Sequence, residues 1–172
     1  MKILYQGSPG AYSHLAALEI DPKAEVIPCK TFDECFIKAQ EDNQARIIIP
    51  ESNRITGNIG IEYLIFKHRL NIYAEHFHKI EHNLLGLLED IKNVFSHQQA
   101  LSQCSSFIKK NKIIENVSAD TAGSAELISK NKIKSQGAIA SRLSAKIYNL
   151  KVIKSNIENE KGNTTRFLIM GK

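Results

Sequence analysis

Residues 46–50 contain three consecutive isoleucines, Ile47-Ile48-Ile49, closed by Pro50. A run of β-branched residues without a polar alternate leaves no solvent face, so the segment reads as a strand covered on both sides, as in a parallel sheet. Around it, short β-rich runs alternate with stretches of helical apolar spacing. Strands are expected at 2–6, 24–29, 46–50 and 71–75, with helices at 12–20, 32–40 and 59–66 between them. The rhythm then repeats. Strands at 79–87, 92–95, 113–117, 137–141, 151–155 and 165–170 are interleaved with helices at 98–110, 121–130 and 142–148. Repeated βα units predict an α/β fold with mostly parallel sheets. No internal repeat, low-complexity stretch or Gly/Ser linker is present, so two lobes would be joined by crossing strands rather than a tether.

Composition narrows the function classes. A chain of 172 residues with 42% hydrophobic and 24% charged content can bury a real core and has no signature of general disorder. The opening Met1-Lys2-Ile3-Leu4-Tyr5 is too short for a secretory signal, and no apolar run approaches the roughly 20 residues of a membrane span. A soluble, cytoplasmic protein with no membrane partner is expected. Cys29, Cys35 and Cys104 form no CxxC pair and no metal spacing, and an odd count suits a reducing compartment. They read as small packing residues. The net charge of +5 and sequence pI near 9.1 invite a nucleic-acid reading. The lysines are spread along the chain, however, and an anionic small-molecule substrate accounts for the balance equally well.

Several strand-to-helix junctions share one design. Ser96 with Gln99 three residues on matches a capping box, Asp120 is placed to cap a helix from Thr121, and Ser141 one from Arg142. In a parallel sheet such helix N-termini gather at one edge of the strands, where free backbone N–H groups favour anions. Each cap is also explained by helix stability alone, at about 1 kcal/mol apiece.

The segments at these junctions resemble the prephenate dehydratase family, in the family's order and over essentially the whole chain. They are Tyr5-Gln6-Gly7-Ser8-Pro9-Gly10-Ala11-Tyr12-Ser13, the Pro50 to Gly57 segment, Glu75 followed by Ile80-Glu81-His82-Asn83-Leu84-Leu85, and Ser96-His97-Gln98-Gln99-Ala100-Leu101-Ser102-Gln103-Cys104. Asp120-Thr121-Ala122-Gly123-Ser124-Ala125, Ala138-Ile139-Ala140-Ser141 and the terminal Asn163-x-Thr165-Arg166-Phe167 complete the series. The resemblance implies a two-lobed α/β structure similar to type II periplasmic binding proteins, with a cleft between lobes. By that analogy 1–75 plus 158–172 form the first lobe and 76–157 the second. It implies a lyase that removes CO₂ and hydroxide from prephenate, giving phenylpyruvate for phenylalanine biosynthesis. The expected partner is this small dicarboxylate, with no metal or organic cofactor and a homodimer as the assembly. Relatives often carry a regulatory ACT domain after the Thr-Arg-Phe motif; with the chain closing at Lys172, none is expected.

By the same resemblance Thr165 is the catalytic hydroxyl, placed to hydrogen-bond the departing oxygen; a threonine is too weak an acid at neutral pH to supply a free proton. Asn53, Ser96 and Gln103 would give neutral hydrogen bonds to the substrate, and Gln103, seven residues after Ser96, would share a helix face with it. Ser8 and Ser124 fall on family positions of the same set. Glu75 and His82 are candidate proton donors or supporting groups, although His82 also reads as a satisfied half-buried histidine. Arg166 suits a bidentate carboxylate clamp. In a regular strand, though, Thr165 and Arg166 point to opposite faces, and Arg166 then reads equally as a structural ion pair.

One segment departs from the family. Where Pro-x-Glu-Asn-Ser is usual, the order here is Pro50-Glu51-Ser52-Asn53-Arg54, so the carboxylate sits one residue early. On an extended segment a one-residue shift changes the face presented. Glu51 then fails to replace the missing acid, while Arg54 adds a charge for the substrate. Rival functions remain: arogenate as the substrate, a non-catalytic small-molecule-binding module of the same fold, and, resting on pI alone, nucleic-acid binding.

Overall fold

A computed structural model describes residues 1–172. The elements follow in chain order as β1 (Lys2–Gln6), α1 (Tyr12–Ile20), β2 (Glu25–Cys29), α2 (Phe32–Glu41), β3 (Ala45–Asn53), β4 (Gly57–Asn58), α3 (Glu62–His68) and β5 (Asn71–Lys79). Then come β6 (Asn83–Gly86), β7 (Asn93–Ser96), α4 (Gln98–Gln103), α5 (Ser105–Lys110), β8 (Ile114–Val117), α6 (Thr121–Asn131), β9 (Gln136–Ala140), α7 (Arg142–Ile147), β10 (Lys151–Lys154) and β11 (Thr164–Gly171). Two compact units result. One comprises Met1–Ser8, Tyr12–Ile80 and Gly162–Lys172, the other Pro9–Ala11 and Glu81–Lys161. The boundary after Ile80 keeps β5 whole, where a boundary after residue 75 would cut it.

The first unit is built on a sheet of order β2-β1-β3-β11-β5, with β4 paired to β3. Ile47, Ile48 and Ile49 are all fully buried in β3, as an unalternating run requires. Burial of each such side chain contributes about 1.5–3 kcal/mol. Ile47 and Ile49 face a core made with Phe36, Ala39, Leu64, Leu168 and Met170, on the side covered by α2 and α3. By strand alternation Ile48, Ile3, Tyr5, Phe167 and Ile169 face the other side, where α1 lies against β1, β3 and β5 with Ala16 and Ala17 buried. The small alanines let the helix sit close to the strands.

The second unit has a sheet of order β10-β6-β9-β7-β8. Leu84, Val94, Leu101, Ile108 and Ile139 form one core cluster of this sheet, and Leu85, Ala125, Ile128, Ala138 and Ala140 another.

Three expectations are corrected. The sheets are mixed rather than mostly parallel: four strand pairings are parallel and five antiparallel. The cause is the return of β11 between β3 and β5, antiparallel to both, together with β6, which is antiparallel to β9 and β10. The single strand expected at 79–87 is two strands; Lys79 ends β5 and β6 begins only at Asn83. The helix expected at 98–110 is broken at Cys104 into α4 and α5. Asn159 supplies the physical reason. Its side chain accepts from Ser106 N at 3.0 Å and donates to Ser102 O at 3.2 Å, replacing the backbone partners that the break removes.

Candidate active site

Thr165 lies on β11 opposite Asn53 of β3 and His78 of β5. Its side chain is only 7% exposed. Asn53 fixes it: Nδ2 donates to Thr165 Oγ1 at 2.9 Å and to Asn163 Oδ1 at 2.8 Å, with Thr164 O a longer third neighbour at 3.3 Å. Asn53 Oδ1 in turn accepts from the backbone N–H groups of Ile55 and Thr56, at 2.9 and 3.1 Å. That turn closes directly after β3, so the amide is held at both ends. Asn163 is buried, and its carbonyl accepts from Ile80 N at 2.9 Å.

Because Thr165 Oγ1 accepts from the amide, its own hydrogen is left to donate elsewhere. Both amide hydrogens of Asn53 are thus engaged within the chain, on Thr165 and Asn163. Asn163, quoted in the terminal motif without a role, is the second half of this arrangement. A buried asparagine two residues before the threonine is the sequence signal for it.

Arg166 does not join Thr165. It lies on the face of β11 shared with Leu168 and Met170, where its Nε donates to Glu75 Oε2 at 2.7 Å and Nη1 lies 3.4 Å from Glu51 Oε2. Its pKa is raised above the ordinary arginine value, first by the hydrogen bond to Glu75 and then by the charges of Glu75 and Glu51. Glu75 and Arg166, expected among the substrate-binding groups, therefore hold each other. They border a depression of about 430 Å³ lined also by Glu51, Glu62 and Tyr73.

The Glu51-Ser52 departure has a structural answer. The β3–β11 register slips between Arg166, opposite Ser52, and Phe167, opposite Pro50, so Glu51 is the extra residue of a bulge. Glu51 and Ser52 then share the Arg166 face, with Ser52 Oγ donating to Glu51 Oε2 at 2.6 Å, and Asn53 returns to the Thr165 face. Arg54 is exposed, and its Nη1 donates to Gly162 O at 3.0 Å within its own unit.

In the second unit, His82 is 3% exposed and its Nε2 lies 2.7 Å from Gln103 Oε1. Burial lowers its pKa, partly offset by the Gln103 hydrogen bond and the nearby Glu158 charge. The ring is thus a neutral imidazole whose Nε2–H donates to the amide oxygen. His82 is thus fully buried rather than half-buried, with Gln103 as its hydrogen-bond partner.

Ser96 is not the cap of α4. It ends strand β7, fully buried, and donates to Ile139 O at 2.7 Å, while His97 caps the helix by accepting from Gln99 N at 3.3 Å. Ser96 and Gln103 consequently share no helix face. Ser124, on α6, donates to Asp120 O at 2.7 Å and contacts the Ser118 hydroxyl. Ser8 is half-buried in the turn after β1, beside Gly7 at φ 122°. The caps expected from Asp120 and Ser141 are present, accepting from Gly123 N and Ser144 N.

The three cysteines are free and buried, and burial pushes the Cys35 and Cys104 thiols well above the usual range, so neither is an activated nucleophile. No helix is long and apolar enough to cross a membrane. Sequence reasoning also missed Glu19, His76 and His78, whose ligand atoms lie within 4.8 Å of one another on the first unit.

A mixed α/β protein with a positioned, buried threonine hydroxyl is the class this geometry defines. The chain belongs to the prephenate dehydratase family, which it matches over residues 3–172. It is 39% identical over 178 residues to arogenate dehydratase/prephenate dehydratase 1, chloroplastic, of Arabidopsis thaliana, with all of this chain and 45% of that protein covered. The chain thus spans a little under half the length of the curated relatives it matches. Among solved structures, the prephenate dehydratase of Staphylococcus aureus superposes with a TM-score of 0.82 at 26% identity, covering 99% of this chain and 66% of that one. A protein described as GqqA, a novel type of quorum quenching acylase, superposes with a TM-score of 0.92 at 32% identity, covering all of this chain and 64% of that one.

Proposed function

We propose that this chain catalyses the decarboxylating dehydration of prephenate to phenylpyruvate, with Thr165 as the catalytic hydroxyl. The observation that carries the reading is the Asn53–Thr165 hydrogen bond, which leaves a buried hydroxyl with a hydrogen to give. In the reaction the bond to the carboxylate carbon breaks and CO₂ leaves. Its electron pair enters the ring as the C–O bond on the far side breaks, completing the aromatic system. The departing oxygen carries growing negative charge, and a preorganised O–H aimed at it stabilises the transition state more than the ground state. Thr165 donates that hydrogen bond, and the hydroxide is neutralised by a solvent proton. The reaction needs no metal or organic cofactor. Ser8, Ser96, Ser124, Gln103 and His82 remain in the proposed substrate-binding set through the family positions they occupy, although the hydroxyls of Ser96 and Ser124 are already paired within the chain.

Arogenate is the second substrate to test, because the Arabidopsis relative is named for both activities. For the acylase activity named for GqqA, the raised, protonated thiols of Cys35 and Cys104 argue only against a cysteine nucleophile. The test is turnover of prephenate and of arogenate by purified protein, with Thr165→Val alongside. Formation of phenylpyruvate that Thr165→Val abolishes supports the assignment; folded protein that consumes neither substrate sinks it and favours a binding module. Three free thiols suit the cytoplasm or another reducing compartment, and light scattering on the same sample tests the expected homodimer.

A further inference from the structure

On β5 the sequence His76-Phe77-His78 sends both imidazoles to one face of the sheet, because strand side chains alternate. Glu19, near the end of α1, meets them there. Its Oε2 lies 2.7 Å from His76 Nε2 and 2.9 Å from His78 Nδ1. Two imidazoles and one carboxylate, all within 4.8 Å, are the donor set of an open zinc site, with three protein ligands and a position left for water. This is also the face of Thr165, whose cross-strand partner on β5 is His78.

We propose that Glu19, His76 and His78 form a binding site for a borderline divalent cation, Zn²⁺ in the first place, which fastens α1 to β5. The fit is chemical and geometric. Imidazole suits zinc and its neighbours, whereas Mg²⁺ and Ca²⁺ demand oxygen sets. Bonds of about 2.0–2.2 Å at tetrahedral angles hold ligand atoms about 3.3 Å apart, so the carboxylate must withdraw by about half an ångström, and the two ring nitrogens, which lie within 4.8 Å, must turn to the same spacing. The carboxylate is free to withdraw, because the Glu19 side chain is about half exposed, while the histidines ride on a strand paired along its length with β11. The ion binds each ring at the nitrogen that now donates to Glu19, so the proton of that N–H shifts to the ring's other nitrogen in the metal-bound tautomer. Nothing in this site depends on the dehydratase reading.

The experiment is titration of chelator-treated protein with ZnCl₂ by calorimetry, with CoCl₂ as a spectroscopic probe. One Zn²⁺ per chain is expected with Kd at or below about 10 µM, and Co²⁺ should give the intense visible bands of a tetrahedral site. Loss of a supporting neighbour alone weakens metal sites about 10–100-fold, so Glu19→Gln and His76→Ala should each weaken binding at least about tenfold. Glu19→Gln is conservative and exposed, and circular dichroism checks that both variants fold. Unchanged affinity in both folded variants overturns the proposal, as does absence of binding at millimolar Zn²⁺. Binding abolished by thiol blocking instead would assign the ion to the cysteines and overturn it equally.

Discussion

On the α1 side of strand β11, Thr165 is buried and neutral, its oxygen held by an amide that is itself held at both ends. On the α2–α3 side of the same strand, Arg166 is charged and partly exposed, held by two carboxylates. The two residues are adjacent in the chain and belong to one motif, yet the sheet gives them opposite surroundings. The buried side fixes a donor without charge, which is what a departing hydroxide needs. The exposed side neutralises a charge that could otherwise have clamped a carboxylate. A short motif therefore contains two physical roles, and substitutions should separate them.

The largest effect is expected from Thr165→Val, which keeps the shape and removes the hydroxyl. Loss of one preorganised donor lowers kcat by about 10²–10³. Thr165→Ser should recover most of it. A Thr165→Val enzyme with full turnover would place the chemistry elsewhere and dissolve the contrast between the two faces.

Asn53→Ala comes next. It leaves Thr165 and Asn163 without their shared donor, at a stability cost of about 1–3 kcal/mol. The hydroxyl stays but loses its aim, and a misplacement of this kind costs about tenfold to a hundredfold in kcat. If Asn53 touched substrate directly, KM would rise instead; if it only positions Thr165, the double variant with Thr165→Val should be little worse than Thr165→Val alone. The kcat and KM values of the three variants decide between these.

How much of this was legible follows from the range of each interaction. The opposition of Thr165 and Arg166 needs only the two-residue period of a strand, and the sequence shows it. The buried isoleucines of β3 are legible for the same local reason. The bulge at Glu51 is not, because it exists only in the register against β11, more than a hundred residues away in the chain. The break at Cys104 depends on Asn159, 53 residues from Ser106, so a continuous helical pattern at 98–110 misled. Ser96 looked like a cap because its spacing to Gln99 is right, but the strand runs one residue further and passes the cap to His97. His76-x-His78 was open to a period-two reading, whereas Glu19, 57 residues earlier than His76, was not.

Smaller effects are expected on the Arg166 face. Exposed ion pairs contribute little, so Arg166→Lys and Glu75→Gln should each leave kcat/KM within about fivefold of the parent. Their combination should be no worse than the stronger single change, because both remove the same contact. A KM raised far more by Arg166→Lys than by Glu75→Gln would show the guanidinium reaching substrate, and the neutralised-charge account would fail.

Glu51→Gln should be the mildest of all. The carboxylate lies 3.4 Å from Arg166 Nη1 and accepts from Ser52 at 2.6 Å, on the face away from Thr165. Gln keeps an oxygen for Ser52 and loses only the longer of the two charges on Arg166, since Glu75 remains at 2.7 Å. The bulge is a backbone feature and survives the change, so Asn53 still reaches Thr165. Turnover within about twofold of the parent is therefore expected, as for substitutions outside the core and its networks. A loss of a hundredfold in kcat at unchanged folding would mean that the carboxylate acts in the reaction despite the face it occupies. The bulge would then have to open during turnover, returning Glu51 to the side of Asn53.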